Sequence, residues 1–377
     1  MFSLDPTSKL VMLTVLRHGP LSRVDVGRRL GLSSGSMTRI TRPLVERQLL
    51  TEGPPTANEL GRPRIPLQVV SSAAHVIGVN LVPGRAYTVL TGLDGAVLDQ
   101  AESPCDTRNL STAAHQIAAA VERVAGVESV AGVGVALPAS VDQEGGLHAT
   151  RMLGWHGGNL SRAVTRLTGL SCRAANDVDA LTLAEHWFGA GKGLSDFVTV
   201  TFGRGVGVGA IVDDALLLGH QGAAALLGRL WLPDGRLFRD VLSMPAVEAR
   251  LSAALGRPVT LREAVLAEGF TDAGLAVLED AAWALGQLVR AAAIAYAPQR
   301  VLLTGEGSDL VTTRLDLVRR LLAADWDEDL ELPELLVGDF SFFSWARGAA
   351  ALAIRALFET PADPPLRHLS GIVRAAQ

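Results

Sequence analysis

The chain has 377 residues, 48% hydrophobic and 19% charged, which is long enough for two or more domains and too apolar for a disordered polymer. No stretch reaches the ~18 uninterrupted apolar residues of a membrane helix, and Cys105 and Cys172 stand alone without CxxC spacing, so a membrane span, a disulfide scaffold and a thiolate metal site are all excluded. The net charge of −5 is unevenly spread: residues 1–70 hold ten Lys and Arg against five Asp and Glu, a net +5, and the remainder holds 24 against 34, a net −10. A short basic segment ahead of a long acidic one is the electrostatic footprint of a nucleic-acid reader joined to a part that avoids nucleic acid.

The opening MFSLDPTSKLVMLTVLRHG has an apolar patch only from Val11 to Leu16, with Asp5 ahead of it and no small-residue cleavage site. It reads as a helix and not as a signal peptide, and the expected location is the cytoplasm. This first helix, carrying Leu10, Leu13, Val15 and Leu16, stops at Gly19-Pro20. Ser22 with Asp25 three residues on forms a capping box for a second helix that ends at Gly31, and Ser33 caps a third. The third helix turns Met37, Ile40, Leu44 and Val45 inward and offers Ser34, Ser36, Thr38, Arg39 and Arg42 on its other faces, with Pro43 expected to kink or end it. Helix, Gly-containing turn and amphipathic helix with exposed hydroxyls and arginines make a helix-turn-helix whose expected partner is double-stranded DNA. The following TEGPPTANELGRPRIPLQVV reads as a two-stranded wing, with Arg62 and Arg64 held out to enter a narrow minor groove. A small protein-interaction domain built on the same packing is the alternative for this segment.

From Ala74 the pattern changes. Val76 to Val79, Ala86 to Leu90 and Ala96 to Leu98 form a β-meander separated by Pro-Gly and Asp-Gly turns, a helix follows from about Thr112 to Val124, and VAGVGVALPASVD is a buried strand ending in a loop. FVTVTFGRGVGVGAIVDDALLLG is a glycine-rich hairpin, residues from about Pro245 to Ala297 are helical, and the chain closes with a strand at Val301 to Leu303 and a helix at Ala346 to Phe358. Two hairpin-led units, with glycine turns at Gly78 to Gly84 and Gly203 to Gly209, point to a duplicated α/β fold with a cleft between its halves.

The helix-turn-helix SRVDVGRRLGLSSGSMTRITRPLVERQLL with GRPR, together with VGVALPASVD, AANDVDALTLAEHWFGAGKG and VTVTFGRGVGVGAIVDDALLLGHQGAA, resembles regulators of the ROK family (repressors, open reading frames and sugar kinases), among them the xylose-repressor type. The resemblance spans nearly the whole chain. It implies a winged helix-turn-helix over residues 1–70 followed, over 71–377, by an actin-like ROK domain, related to sugar kinases and ribonuclease H, of two α/β lobes. The lobes would close on a hexose, usually in a dimer or tetramer.

The departures from the family pattern bear on activity. Where family kinases resemble Asp-x-Gly-Gly-Thr, this chain has Asn80-Leu81-Val82-Pro83-Gly84, losing the carboxylate, the paired glycines and, at Pro83, an N–H donor. Where they carry Gly-Glu-x-Gly-His, it has Ala225, Leu226, Leu227, Gly228 and Arg229, and the following LPDGRLFRD holds no cysteine. The family's structural zinc is therefore expected to be absent, and no other cofactor is called for. Asn176 and Asp177 match the kinase sugar-binding asparagine and general base. An Asx pair ahead of a helix is equally its N-cap, which leaves both readings open. Trp155 and His156 are expected near the ligand, Trp155 because the family places an aromatic there; His156, like His148, is otherwise a solvated loop residue. Arg229 suits an anionic ligand, or, with Trp231, refills the volume of the lost zinc site. The alternate glycines of the second hairpin serve either a phosphate or close strand packing. The sequence thus predicts a non-enzymatic, cytoplasmic DNA-binding regulator of sugar metabolism, acting as an oligomer on an operator, with a sugar or sugar phosphate as effector; a hexose kinase is the enzymatic alternative.

Overall fold

The computed structural model describes residues 4–55, 63–266 and 271–359. The chain divides into two compact units, Met1–Gly193 together with Phe342–Gln377, and Leu194–Ser341. In the first, α1 (Pro6–His18) starts with a proline at its first turn and with Asp5 accepting from the Thr7 and Ser8 amides at 3.0 Å. The short β1 (Leu21–Ser22) leads into α2 (Arg23–Leu30), capped by Ser22 and ended by Gly31 in the left-handed conformation. Then α3 (Ser34–Glu46) runs through Pro43 instead of ending there. One lost hydrogen bond is tolerated because Met37, Thr41 and Leu44, all buried, anchor the helix on both sides of it.

The wing comprises β2 (Leu50–Glu52) and β3 (Pro66–Val69). It has three strands and not two: β1 also pairs with β3, Leu21 opposite Leu67. The extended backbone that caps α2 places Leu21 and Ser22 beside β3 at no additional conformational cost.

Beyond the wing, β4 (His75–Val82), β5 (Arg85–Gly92) and β6 (Val97–Pro104) form the expected meander, followed by α4 (Leu110–Ala125), β7 (Val130–Leu137), the small pair β8 (Ser140–Val141) and β9 (Leu147–Ala149), α5 (Leu160–Thr168), β10 (Cys172–Asn176) and α6 (Asp177–Phe188). The sheet order is β10-β7-β4-β5-β6, with β4, β7 and β10 parallel. One face, with Ile77, Val79, Val133 and Val135, is covered by α4 and α5. The other is covered by the last helix, α12 (Phe342–Phe358). Alternating glycines make that contact possible: a Cβ at Gly78 would collide with the Ala346 carbonyl, and one at Gly134 with the Ala349 carbonyl. An alanine-rich helix thus lies directly on the strand backbones.

The second unit contains β11 (Phe197–Phe202), β12 (Val206–Val212), β13 (Ala215–Leu216), the helices α7 (Phe238–Leu242), α8 (Met244–Leu255), α9 (Leu261–Leu266) and α10 (Asp272–Tyr296), then β14 (Arg300–Thr304), α11 (Ser308–Ala323) and β15 (Glu334–Val337). Its sheet order, β13-β12-β11-β14-β15, repeats the first. In both, the first strand is central, its hairpin partner and a third strand lie on one side, and two parallel strands lie on the other. The core of this unit gathers on α10, where Leu285, Leu288 and Val289 are fully buried with Val301 and Leu303. Among the described residues, no helix is long and apolar enough to cross a membrane.

Candidate functional site

The α2–α3 turn is built by close packing. Gly27 faces the Leu32 carbonyl oxygen and Met37, where a Cβ would stand 2.9 Å and 3.0 Å from them. Ser33 Oγ accepts from the Ser36 amide at 3.3 Å and so caps α3. Beyond it, Ser34, Thr38, Arg39 and Arg42 are exposed and Ser36 is half-buried. Thr38 Oγ1 donates to the Ser34 carbonyl at 3.1 Å, and Arg42 pairs with Glu46 at 2.8 Å. Arg39 makes no ion pair among the described residues and borders a groove of about 420 Å³ between α1 and α3, lined also by Leu4, Ser36, Ile40 and Arg47. Ile40, expected inside, is half-buried on that groove; Thr41 takes the interior position instead, fully buried, and accepts from Arg23 Nε at 2.8 Å.

Arg23 also pairs with Glu52 at 2.5 Å, so one side chain staples α2 to α3 and to the wing. No local signal marks this residue, because its partners lie 18 and 29 positions away. Arg64, expected in the minor groove, has Nη1 2.8 Å and 3.1 Å from the two Asp25 carboxylate oxygens. Ser22 donates to Asp25 at 2.6 Å, and this hydrogen bond, with the Arg64 and Arg28 charges, holds the carboxyl below its usual range. Arg62 lies outside the described residues.

The second constellation stands where β10 passes into α6. Asn176 Oδ1 accepts from the Val178 amide at 2.9 Å and the Asp179 amide at 3.3 Å, and Nδ2 donates to the Ala139 carbonyl at 3.1 Å. Both ends of its amide are engaged in holding strand, loop and helix together. The Asp177 carboxylate, half-buried, accepts from the Val178 amide at 2.9 Å, and burial raises its pKa to about 6. Behind it Asp179 is buried and is pushed up to about 8, by burial first and by the neighbouring Asp177 charge second. Sequence reading passed over Asp179, whose i+2 position in an N-terminal turn looks like ordinary helix chemistry.

Trp155 is buried in the first unit's core, and its Nε1 donates to the Thr107 carbonyl at 2.8 Å. His156 is exposed, and His148 sits 2.7 Å from Asp142. Arg229 belongs to the second unit, exposed at the end of the short turn Leu227–Arg229. Within β4, Asn80 is fully buried, and among the described residues neither atom of its amide has a hydrogen-bond partner. The β4–β5 connection is a two-residue turn, Pro83-Gly84, with Gly84 at φ +84° and its amide donating to Thr107 Oγ1 at 3.3 Å. In the second unit's hairpin, Glu306 accepts from the Arg204 amide at 2.9 Å.

The ROK family model matches residues 76–356. The chain belongs to the ROK family. The curated relatives of this ROK protein include the DNA-binding transcriptional dual regulator NagC of Escherichia coli K12, 28% identical over 229 residues that cover 59% of this chain and 56% of NagC. A glucokinase of Thermotoga maritima is 32% identical over 165 residues, 42% of this chain and 52% of the kinase. The chain thus spans about half the length of the curated relatives it matches. Among solved structures, a ROK family transcriptional regulator homologous to E. coli Mlc superposes with a TM-score of 0.74 at 21% identity, covering 94% of this chain and 96% of the other. The two-unit architecture of this ROK protein, with the winged helix included, is therefore an observed family fold.

Proposed function

We propose that this ROK protein is a DNA-binding transcriptional regulator whose α3 enters the major groove. The observation that carries the reading is the start of α3: Ser34, Thr38 and Arg39, which has no ion pair among the described residues, stand exposed on a helix that Gly27, Ser33 and Thr41 fix in a helix-turn-helix. The regulator relatives, NagC among them, support it. A single winged helix makes few base contacts, so operator recognition calls for a homo-oligomer placing two such helices on successive turns. The proposed effector is a sugar or sugar-derived metabolite bound at the start of α6, where Asp177 keeps one carboxylate oxygen uncommitted by any hydrogen bond to the described residues.

Hexose kinase activity is the second reading, since Asp177 stands at the family's general-base position. Two features oppose it. Pro83-Gly84 closes too tightly to cradle phosphate and its amide is already committed, and the Glu306 carboxylate occupies the Arg204 amide that an anion would take. The donor set around residues 225–239 does not fit a thiolate zinc either, because it lacks cysteine and Asp234 is held by Arg236. Regulation is tested by selecting duplexes from a random pool with the full chain, then titrating the winner across a salt series with and without hexoses, N-acetylhexosamines and hexose phosphates. Arg39→Ala is expected to weaken binding by about 1–3 kcal/mol. Selection of no preferred duplex defeats the regulator reading; hexose-dependent ATP turnover abolished by Asp177→Asn establishes the kinase.

A further inference from the structure

Over its second half helix α1 is buried on all sides. Val11, Met12, Leu13, Thr14, Val15, Leu16 and Arg17, nearly two full turns, are each at most 7% exposed. In a free-standing three-helix domain one face of such a helix meets water. Here one side of α1 packs on α2, α3 and β3, and the other packs on α6 and α12, so the helix serves two cores at once.

The charged end of that contact is specific. The Arg17 guanidinium lies 5.5 Å from the ring centroid of Trp187, which is fully buried near the end of α6. Trp187 meets Phe188 edge-on at 5.9 Å, Arg347 of α12 lies 5.5 Å over Phe188, and Arg347 donates to the Phe188 carbonyl at 3.2 Å and the Gly95 carbonyl at 3.0 Å. The covalent connection is pinned as well. Two residues after β3, the Ser71 carbonyl accepts from the Leu93 amide at 3.0 Å and Ser71 Oγ donates to Asp94 at 2.6 Å. Gly92 carries no Cβ there, and any Cβ would collide with Ser71.

We infer that the winged helix is docked as a fixed body on the α6–α12 layer, with Arg17 as the positioning residue that sets its orientation. Helix α6 then begins at the Asn176-Asp177 junction and carries the ring under Arg17 ten residues on from Asp177, about 15 Å away at 1.5 Å per residue. Resting on the reading of that junction as the effector site, this makes one rigid helix the link between effector and DNA-binding surface.

The test uses the full chain with Val24→Cys on α2 and Leu167→Cys on α5, both exposed, carrying spin labels. Cys105 and Cys172 stay unlabelled, because both are buried and burial pushes their thiols up to about 11 and about 12. A single narrow distance distribution is expected. Arg17→Met, which keeps the apolar stem and removes the cation, is expected to at least double its width, and so is Asp94→Ala, an exposed change that removes the Ser71 Oγ hydrogen bond. A broad distribution in the parent, or an unchanged width in both variants, overturns the proposal. This measurement needs no DNA, so a docked winged helix that selects no duplex would remove the regulator reading and leave the docking standing. Where a palindromic duplex is selected, Arg17→Met should leave half-site affinity within twofold and lower the preference for the selected spacing at least tenfold; an unchanged spacing preference counts against Arg17.

Discussion

Arg64→Ala and Asp25→Ala, made singly and together, distinguish a wing clamp from a groove reader. The pair joins the wing to α2 through two short contacts, 2.8 Å and 3.1 Å, between side chains 38% and 22% exposed. Exposed ion pairs are worth ~0.2–1 kcal/mol and hydrogen bonds to charged groups ~1.5–3 kcal/mol, so this half-buried pair stabilises the closed wing by about 1 kcal/mol. As a clamp, each single substitution weakens operator binding about fivefold and the double substitution adds little. The slope of log K against log salt is then unchanged. If Arg64 instead leaves Asp25 to neutralise a phosphate, Arg64→Ala lowers that slope by about 0.9, and Asp25→Ala leaves binding unchanged or tighter. Fluorescence anisotropy between about 50 and 200 mM salt reads both quantities, and the second pattern would refute the clamp. The pH dependence follows from the lowered Asp25 pKa. The clamp's contribution is present above the unfolded-state value near ~3.9 and is lost only as pH falls through the lower folded value, so it gives no pH dependence between ~5 and ~8.

Gly27→Ala is expected to destabilise the winged helix by about 1–2 kcal/mol, the clash with the Leu32 carbonyl and Met37 outweighing the gain in helix propensity; an unchanged melting temperature would show that the turn relaxes freely. Asn80→Leu removes a buried amide without a partner among the described residues and should raise stability by about 1 kcal/mol in a denaturant titration, whereas a loss would show that the amide is satisfied in solution by a buried water. Asp179 holds its proton in the folded chain to about pH 8 while the unfolded chain releases it near ~3.9. Stability therefore falls as pH rises through that window, with Asp177 adding the same sign up to about 6. The advantage of Asp179→Asn over the parent should grow between pH 4 and pH 8, and equal pH profiles would contradict the buried assignment.

The parts of this ROK protein that were legible in its sequence are those governed by near neighbours. Ser22 and Ser33 cap helices three residues away, Gly31 ends α2, and the Pro-Gly turn at 83–84 closes a hairpin, because each acts through backbone within a few positions. The duplicated sheet was only hinted at. Its topology constrains strand alternation and glycines beneath a helix, as at Gly78 and Gly134, and leaves the identity of most other residues open. Partnerships across the chain left no signal. Arg64 reads as a free cation until Asp25, 39 positions earlier, is brought beside it; Trp155 reads as a ligand-facing ring until the Thr107 carbonyl, 48 positions earlier, takes its N–H. The same distance conceals α1, whose apolar pattern looks like the core helix of a small domain. Its second partner layer, α6 and α12, begins about 160 residues further on, and only there does a charged Arg17 at the end of the helix acquire a reason to be buried.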